Sequence, residues 1–305
     1  KVNLILKKKK YLLSIFFIII LLTSLIILLS NESKIKCTKY GDLIIDKIFN
    51  FSSDCYERKL KGVIFPSIKF IGPRYNVLTN KINLECPSNS PVIILSGQSN
   101  SANFLKSNKK FRNSHFNFFD GKCYNLSSPS LGAEGEMSSL APSIANKIIS
   151  NKKFIFVTSG RGGISIEDAS ILNSEFINYN LEALRLLSQK NNYLKYFIWI
   201  HGEANNDNSL NYFDKFEILY EEIIKNQKNQ PKLIITNTSI CKNKRDHVLN
   251  EIQKEISLKY SGISDLIDTD SLSNNYRYDQ CHFNQNGLKK ISDNISNLIN
   301  SLENE

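Results

Sequence analysis

From about residue 89 the chain alternates short apolar runs with segments of helical period. No other feature limits its fold as tightly. The runs are Pro91-Val92-Ile93-Ile94-Leu95, Phe154-Ile155-Phe156-Val157, Tyr196-Phe197-Ile198-Trp199-Ile200, Leu233-Ile234-Ile235 and, weakly, Leu266-Ile267. Each is β-branched or aromatic and ends in a polar or glycine-bearing turn. Helical periodicity fills the intervals at about 140–150, 175–190, 211–228, 246–260 and 284–303. Strands alternating with helices predict an α/β domain with a mainly parallel sheet and helices on both faces. In such sheets the chemistry gathers at the carboxyl ends of the strands. Ser99, Gly162-Gly163 and His201-Gly202-Glu203 each follow a predicted strand directly, so this architecture brings them to one edge.

The 305 residues allow one large domain with appendages or two small ones. The net charge of +10 is unevenly spread. Lys1 and Lys7 to Lys10 lie within the first thirty residues, which hold no acid. The other 275 residues carry 34 basic and 29 acidic side chains, a balance of +5, which is too mild for a polyanion-binding surface and argues against nucleic acid.

Tyr11 to Ser30 form twenty uncharged positions, enough for a helix to cross the ~30 Å hydrocarbon core. The lysines before it predict a cytoplasmic N-terminus and export of the residues beyond Ser30. A cleaved signal peptide is the rival reading, but no small-x-small cleavage site stands near Leu29-Ser30-Asn31. The expected layout is a basic stub and signal anchor at 1–30, a stem at 31–88 and a catalytic domain at 89–305. All six cysteines (Cys37, Cys55, Cys86, Cys123, Cys241 and Cys281) come after the anchor, which fits an oxidising compartment. None has Cys-x-x-Cys spacing, so no zinc site is expected.

The turn Gly97-Gln98-Ser99-Asn100 follows its strand at once, where α/β hydrolases expose a serine nucleophile. Serine needs a base to take its proton and a third group to orient that base. Asp279 and His282, three residues apart, can supply both. The oxyanion needs donors aimed at it. Candidates are the backbone N–H of Ser99, that of Gly162 or Gly163, and a side chain after the 196–200 run. The Gly160–Gly163 loop lacks the Lys-Ser/Thr of a phosphate-binding P-loop. Glu203 and Asp207 could form an acid pair for sugar hydrolysis, but their polar loop favours hydrogen-bonding roles.

Each signal is weak alone, and their order is specific. Gly-Gln-Ser-Asn, Gly-Gly-Ile-Ser-Ile, Trp-Ile-His-Gly-Glu-Ala-Asn and Asp-x-x-His-x-x-x-x-Gly occur in succession over about residues 90–300. This series resembles the sialate O-acetylesterase and acetylxylan-esterase branch of the SGNH hydrolases. The resemblance implies a three-layer flavodoxin-like domain and a carbohydrate acetylesterase without cofactor or metal. It places Ser99 on the nucleophile and Asp279 and His282 on the acid and base. Gly163 falls on the oxyanion glycine, with Gln98, Asn100, Gly162, Gly202, Glu203 and Asn205 in support. The implied substrate is an O-acetylated glycan. The same site could instead transfer acetyl groups, or the fold could serve as an inactive glycan-binding module.

Three positions depart from the family pattern. His201 stands where an oxyanion-donating Gln is usual, so a neutral imidazole N–H is the expected substitute. Ser101 replaces a usual Met. Glu167-Asp168-Ala169 occupies the place of a tryptophan often found after the second motif. His115 and His247 match no motif and read as structural or surface residues. Cys241 follows a strand at the same sheet edge as Cys281, so a Cys241–Cys281 disulfide could brace the catalytic loop.

Overall fold

The structure is a computed structural model that describes residues 81–111, 114–260 and 267–304. The chain divides into two units, Lys1–Leu60 and Lys61–Glu305, and every described residue belongs to the second. The expected anchor, most of the expected stem, Cys37 and Cys55 lie outside the described residues. Among the described residues no helix is long and apolar enough to cross a membrane.

The predicted runs become strands β2 (Pro91–Gly97), β5 (Ile155–Thr158), β6 (Tyr193–Ile200) and β7 (Lys232–Ile235). Three further strands are β1 (Asn83–Leu84), β3 (Phe116–Phe119) and β4 (Lys122–Asn125). Together they form one seven-stranded sheet in the order β1-β4-β3-β5-β2-β6-β7. β3, β5, β2, β6 and β7 run parallel, and β4 and β1 complete the sheet antiparallel. The weak fifth run contributes one parallel bridge, Thr236 to Ile267, beside β7. Counted as β5-β2-β6-β7-Ile267, the main sheet has the 2-1-3-4-5 order of flavodoxin-like folds, with the β3–β4 hairpin and β1 added on the β5 side.

Every residue of β2 is buried because helices cover both faces of the sheet. The helices among the described residues are α1 (Leu140–Ala145), α2 (Ile166–Ala169), α3 (Glu175–Ser188), α4 (Tyr212–Ile224), α5 (His247–Tyr260) and α6 (Gln285–Glu303). Val92 and Ile94 point into one core with Trp199 and the buried faces of α2, α3, α4 and α5. Ile93 and Leu95 point into the other with α1 and α6. This period-two split of β2 produces three layers.

The starts of these helices are set locally. Ser139, Ser165, Ser174 and Asn284 cap α1, α2, α3 and α6 with their side-chain oxygens. Among the described residues there are two disulfides, Cys86–Cys123 tying the segment before β2 to β4, and Cys241–Cys281.

Candidate active site

β2 lies between β5 and β6, so the chain leaves it to opposite sides and opens a crevice at its carboxyl end. Ser99 begins a 3-10 turn, Ser99–Ser101, two residues past the end of β2. The bend depends on Gly97, whose φ is +127°. A Cβ there would stand 2.0 Å from the Ile200 carbonyl oxygen, so a side chain at this position is excluded. Gln98 fixes the turn from below. Its N–H donates to Ile200 O at 2.9 Å, and its side-chain oxygen accepts the N–H groups of Gly202 and Ala204 at 3.3 and 3.1 Å.

Asp279 and His282 lie on the loop before α6. The His282 Nδ1–H donates to Asp279 Oδ2 at 2.6 Å, and the His282 backbone N–H donates to Asp279 Oδ1 at 2.7 Å. Because a carboxylate only accepts, this pairing puts the proton on Nδ1 and leaves Nε2 as the basic nitrogen. Burial raises the Asp279 carboxyl, but the hydrogen bonds from the His282 ring and from the N–H groups of His282 and Cys281 outweigh it and hold Asp279 below the usual carboxylate range. Among the described residues no hydrogen bond joins Ser99 to His282. In the absence of substrate such contacts are often long.

Asn100 carries the link between the serine turn and the histidine loop. Its side-chain oxygen accepts the Phe283 N–H at 3.3 Å, and its Nδ2 approaches Cys281 O at 3.5 Å, so it holds both neighbours of His282. The same Nδ2 donates to Glu203 Oε1 at 2.9 Å, and Ser239 Oγ donates to that carboxylate oxygen as well. Glu203 therefore acts as a buttress. Asp207, its suggested acid partner, is an exposed residue paired with Lys244 instead.

The second motif lies beside this turn. Gly162 N–H donates to Glu134 Oε2 at 2.7 Å. Gly163 has φ +64°, a Cβ there would meet nothing within 4 Å, and its N–H has no partner among the described residues. The Ser99 N–H is likewise without a partner among the described residues. Of the two glycines, only Gly163 keeps a donor to offer. Asn205 secures the block by accepting the Ile166 N–H at 2.8 Å and donating to Glu167 Oε2 at 3.0 Å.

The oxyanion role expected of His201 is corrected by its surroundings. The ring is buried and stacks on Trp199 with centroids 4.9 Å apart. Tyr212 OH accepts from Trp199 Nε1 and Gln253 Nε2 and so donates to His201 Nδ1 at 2.9 Å. His201 Nε2–H donates to Ile164 O at 2.9 Å. Both nitrogens are committed, and no N–H is left for an oxyanion. Burial pushes the imidazole down to about 4, so it stays neutral. His201 is a strut between β6 and the second motif.

Ser101 is buried, donates to Gln98 O at 2.7 Å and packs against Gly160. His115 is a buried structural residue whose Nδ1 accepts the Phe154 N–H at 2.9 Å, and His247 is exposed at the start of α5. Glu167 and Asp168 form the first turn of α2.

Sequence reasoning missed several residues. The Phe104 and Tyr278 rings stack with the His282 ring, with centroids 5.8 and 5.9 Å away. A Cβ at Gly162 would stand 3.2 Å from Phe104, so this ring spans the space between the second motif and His282. Buried Arg277 donates to Cys281 O at 2.7 Å and lies 4.4 Å from the Phe283 ring centroid, gripping the loop from inside. Tyr278 adjoins Asp279 and was within reach of the motif. Nothing local marks Phe104 or Arg277. Among the described residues no group of three or more His, Cys, Asp or Glu side chains is placed to hold a metal ion.

No family model matches the chain, and no curated protein matches it. Solved structures do. A protein of Arabidopsis thaliana is similar at 13% identity and a TM-score of 0.55, over 70% of this chain and 98% of that one. NanS is similar at 13% identity and a TM-score of 0.46, over 71% of this chain and 98% of that one. A carbohydrate acetylesterase from Xanthomonas citri is similar at 14% identity and a TM-score of 0.46, over 68% of this chain and 54% of that one. At such identities the likeness to the Arabidopsis protein is one of fold.

Proposed function

We propose that the chain is a serine esterase that removes O-acetyl groups from carbohydrates through an acyl-enzyme. The observation that carries this reading is the Asn100 bridge. It fastens the turn bearing Ser99 to the loop bearing the Asp279–His282 pair, beside two backbone N–H groups that have no partner among the described residues. His282 Nε2 takes the Ser99 proton as Oγ attacks the acetyl carbonyl. Asp279 holds the tautomer and stabilises the imidazolium. The oxyanion is received by the N–H groups of Ser99 and Gly163, each contributing ~3 kcal/mol. His282 then returns the proton to the leaving sugar hydroxyl, and water resolves the acyl-enzyme by the same path.

The chain's motifs, its fold and the fixed Nδ1–H tautomer of His282 support this mechanism. The N-terminal lysines and the uncharged 11–30 stretch support a signal anchor with the catalytic domain on the exported side. The two disulfides among the described residues fit that compartment. The test is turnover of a chromogenic acetate by the full chain and by Ser99→Ala. The variant should fold normally and lose esterase activity. Undiminished turnover would refute the assignment.

A further inference from the structure

Beyond Tyr278, on the surface next to the candidate site, lies an open cavity of about 450 Å³. Lys106, Ser107 and Asn108 line it from the segment after the serine turn, and Gln285 and Asn286 from the start of α6, together with Tyr278. Its volume is within the range of small-molecule sites. A second cavity, of about 1030 Å³, is bordered by Tyr193 at the opposite end of β6 and is remote from Ser99.

Three observations tie the smaller cavity to the site. Tyr278 borders the cavity and also stacks with the His282 ring. Its hydroxyl donates to Phe104 O at 2.9 Å. The Lys106 N–H donates to Phe283 O at 3.1 Å, one residue beyond His282. A molecule held at Ser99 and one held in this cavity would therefore be neighbours on one rigid frame.

The lining fits a sugar. A pyranose has an apolar C–H face and an equatorial rim of hydroxyls. An aromatic ring suits the first and amide or hydroxyl side chains the second. Tyr278 supplies the ring, and Ser107, Asn108, Gln285 and Asn286 supply the polar groups. The start of α6 is not itself the binding element, because Asn284 already accepts the N–H groups of Asn286 and Gly287. Lys106 is the one charged residue lining the cavity, and its Nζ lies 5.8 Å from the Tyr278 ring centroid. Among the described residues it has no acidic partner.

We infer that this cavity is a subsite for a carboxylate-bearing sugar adjoining the acetylated one, so that the substrate is an acidic oligosaccharide rather than a single acetylated sugar. The inference rests on the esterase reading for its purpose, but its test does not depend on turnover. Titration calorimetry of the full chain carrying Ser99→Ala would compare a galacturonic acid trimer with a neutral xylose trimer. The acidic trimer should bind more tightly. Lys106→Gln should weaken it about fivefold while leaving the neutral trimer unchanged. Asn108→Trp, which fills the cavity, should weaken both trimers. On a Ser99 background neither substitution should alter turnover of a chromogenic acetate. No binding of either trimer at millimolar concentration, or binding indifferent to both substitutions, overturns the subsite even if the chain is an active esterase. Loss of the esterase reading would show instead as absent turnover with trimer binding intact.

Discussion

The Asn100 side-chain oxygen accepts the backbone N–H of Phe283 at 3.3 Å, joining the residue after the candidate nucleophile to the residue after its candidate base. The two are 183 positions apart in sequence. One amide thus sets how the serine turn faces the histidine loop, and its Nδ2 is oriented by Glu203 at 2.9 Å.

Removing that amide should uncouple the site while sparing the sheet. Asn100→Ala strands the buried Phe283 N–H, at about 1–3 kcal/mol, and removes one of the two donors to the half-buried Glu203 carboxylate, which keeps Ser239 Oγ. We expect kcat on a chromogenic acetate to fall by about 10–100-fold, with a lowered Tm and an unchanged circular dichroism spectrum. Wild-type kcat in this variant would show that Asn100 does not position the loop.

The Cys241–Cys281 disulfide places one sulfur between Asp279 and His282 and closes a sequence separation of 40 residues. Chain entropy assigns such a link about 4 kcal/mol. Replacing both cysteines with serine should lower Tm and reduce kcat by at least about tenfold, since small misplacement of catalytic groups is costly. The matching change at Cys86 and Cys123, in the β1–β4 region, should lower Tm and leave kcat near wild type. Equal kcat losses from the two pairs would contradict a specific role for the first.

Much of this arrangement was legible in the sequence because strands buried on both faces read as unbroken apolar runs. β2, β5, β6 and β7 match their runs closely, and the four long helices fall within a few residues of their periodic segments. The β3–β4 hairpin escaped notice, although Asp120-Gly121, with φ of +47° and +73°, is a typical two-residue hairpin turn. Of the fifth run, the described residue Ile267 makes the parallel bridge to Thr236. The motifs nominated Ser99, Gly163, Asp279 and His282 as candidates, and sheet-edge reasoning anticipated the Cys241–Cys281 link. The misreading of His201 has a tertiary cause. Tyr212 of α4 and the Ile164 carbonyl claim its ring, and neither is a sequence neighbour. Phe104 and Arg277 were invisible for the same reason.

Acid should weaken the fold through His201. Its folded pKa is lowered by burial from 6.5 to about 4. Between those values the unfolded chain takes up a proton that the folded chain refuses, so stability is full above about pH 6.5 and declines as pH falls toward 4. The contribution at the acid end is on the order of 3 kcal/mol. His201→Gln keeps a donor for Ile164 O and an acceptor for Tyr212 OH but cannot titrate. Urea melts at pH 7 and pH 4.5 should show a smaller drop in stability for this variant than for the wild type. Identical drops would remove His201 as a cause.

Gly97→Ala tests the bend beneath Ser99. The added methyl would meet the Ile200 carbonyl oxygen at 2.0 Å, and φ is +127°. We expect a loss of at least ~3 kcal/mol, seen as a lower Tm or failure to accumulate folded protein. Gly163→Ala, with open space at its Cβ, should cost only about 1 kcal/mol from its positive φ.

The central claim is that Ser99 is a nucleophile activated by His282. Its most direct measurement is peptide mapping by mass spectrometry after the full chain reacts with a fluorophosphonate. The account predicts one adduct, on Ser99, absent from Ser99→Ala and strongly slowed in His282→Ala. A folded chain that stays unlabelled, or that is labelled elsewhere with Ser99 intact, would contradict it.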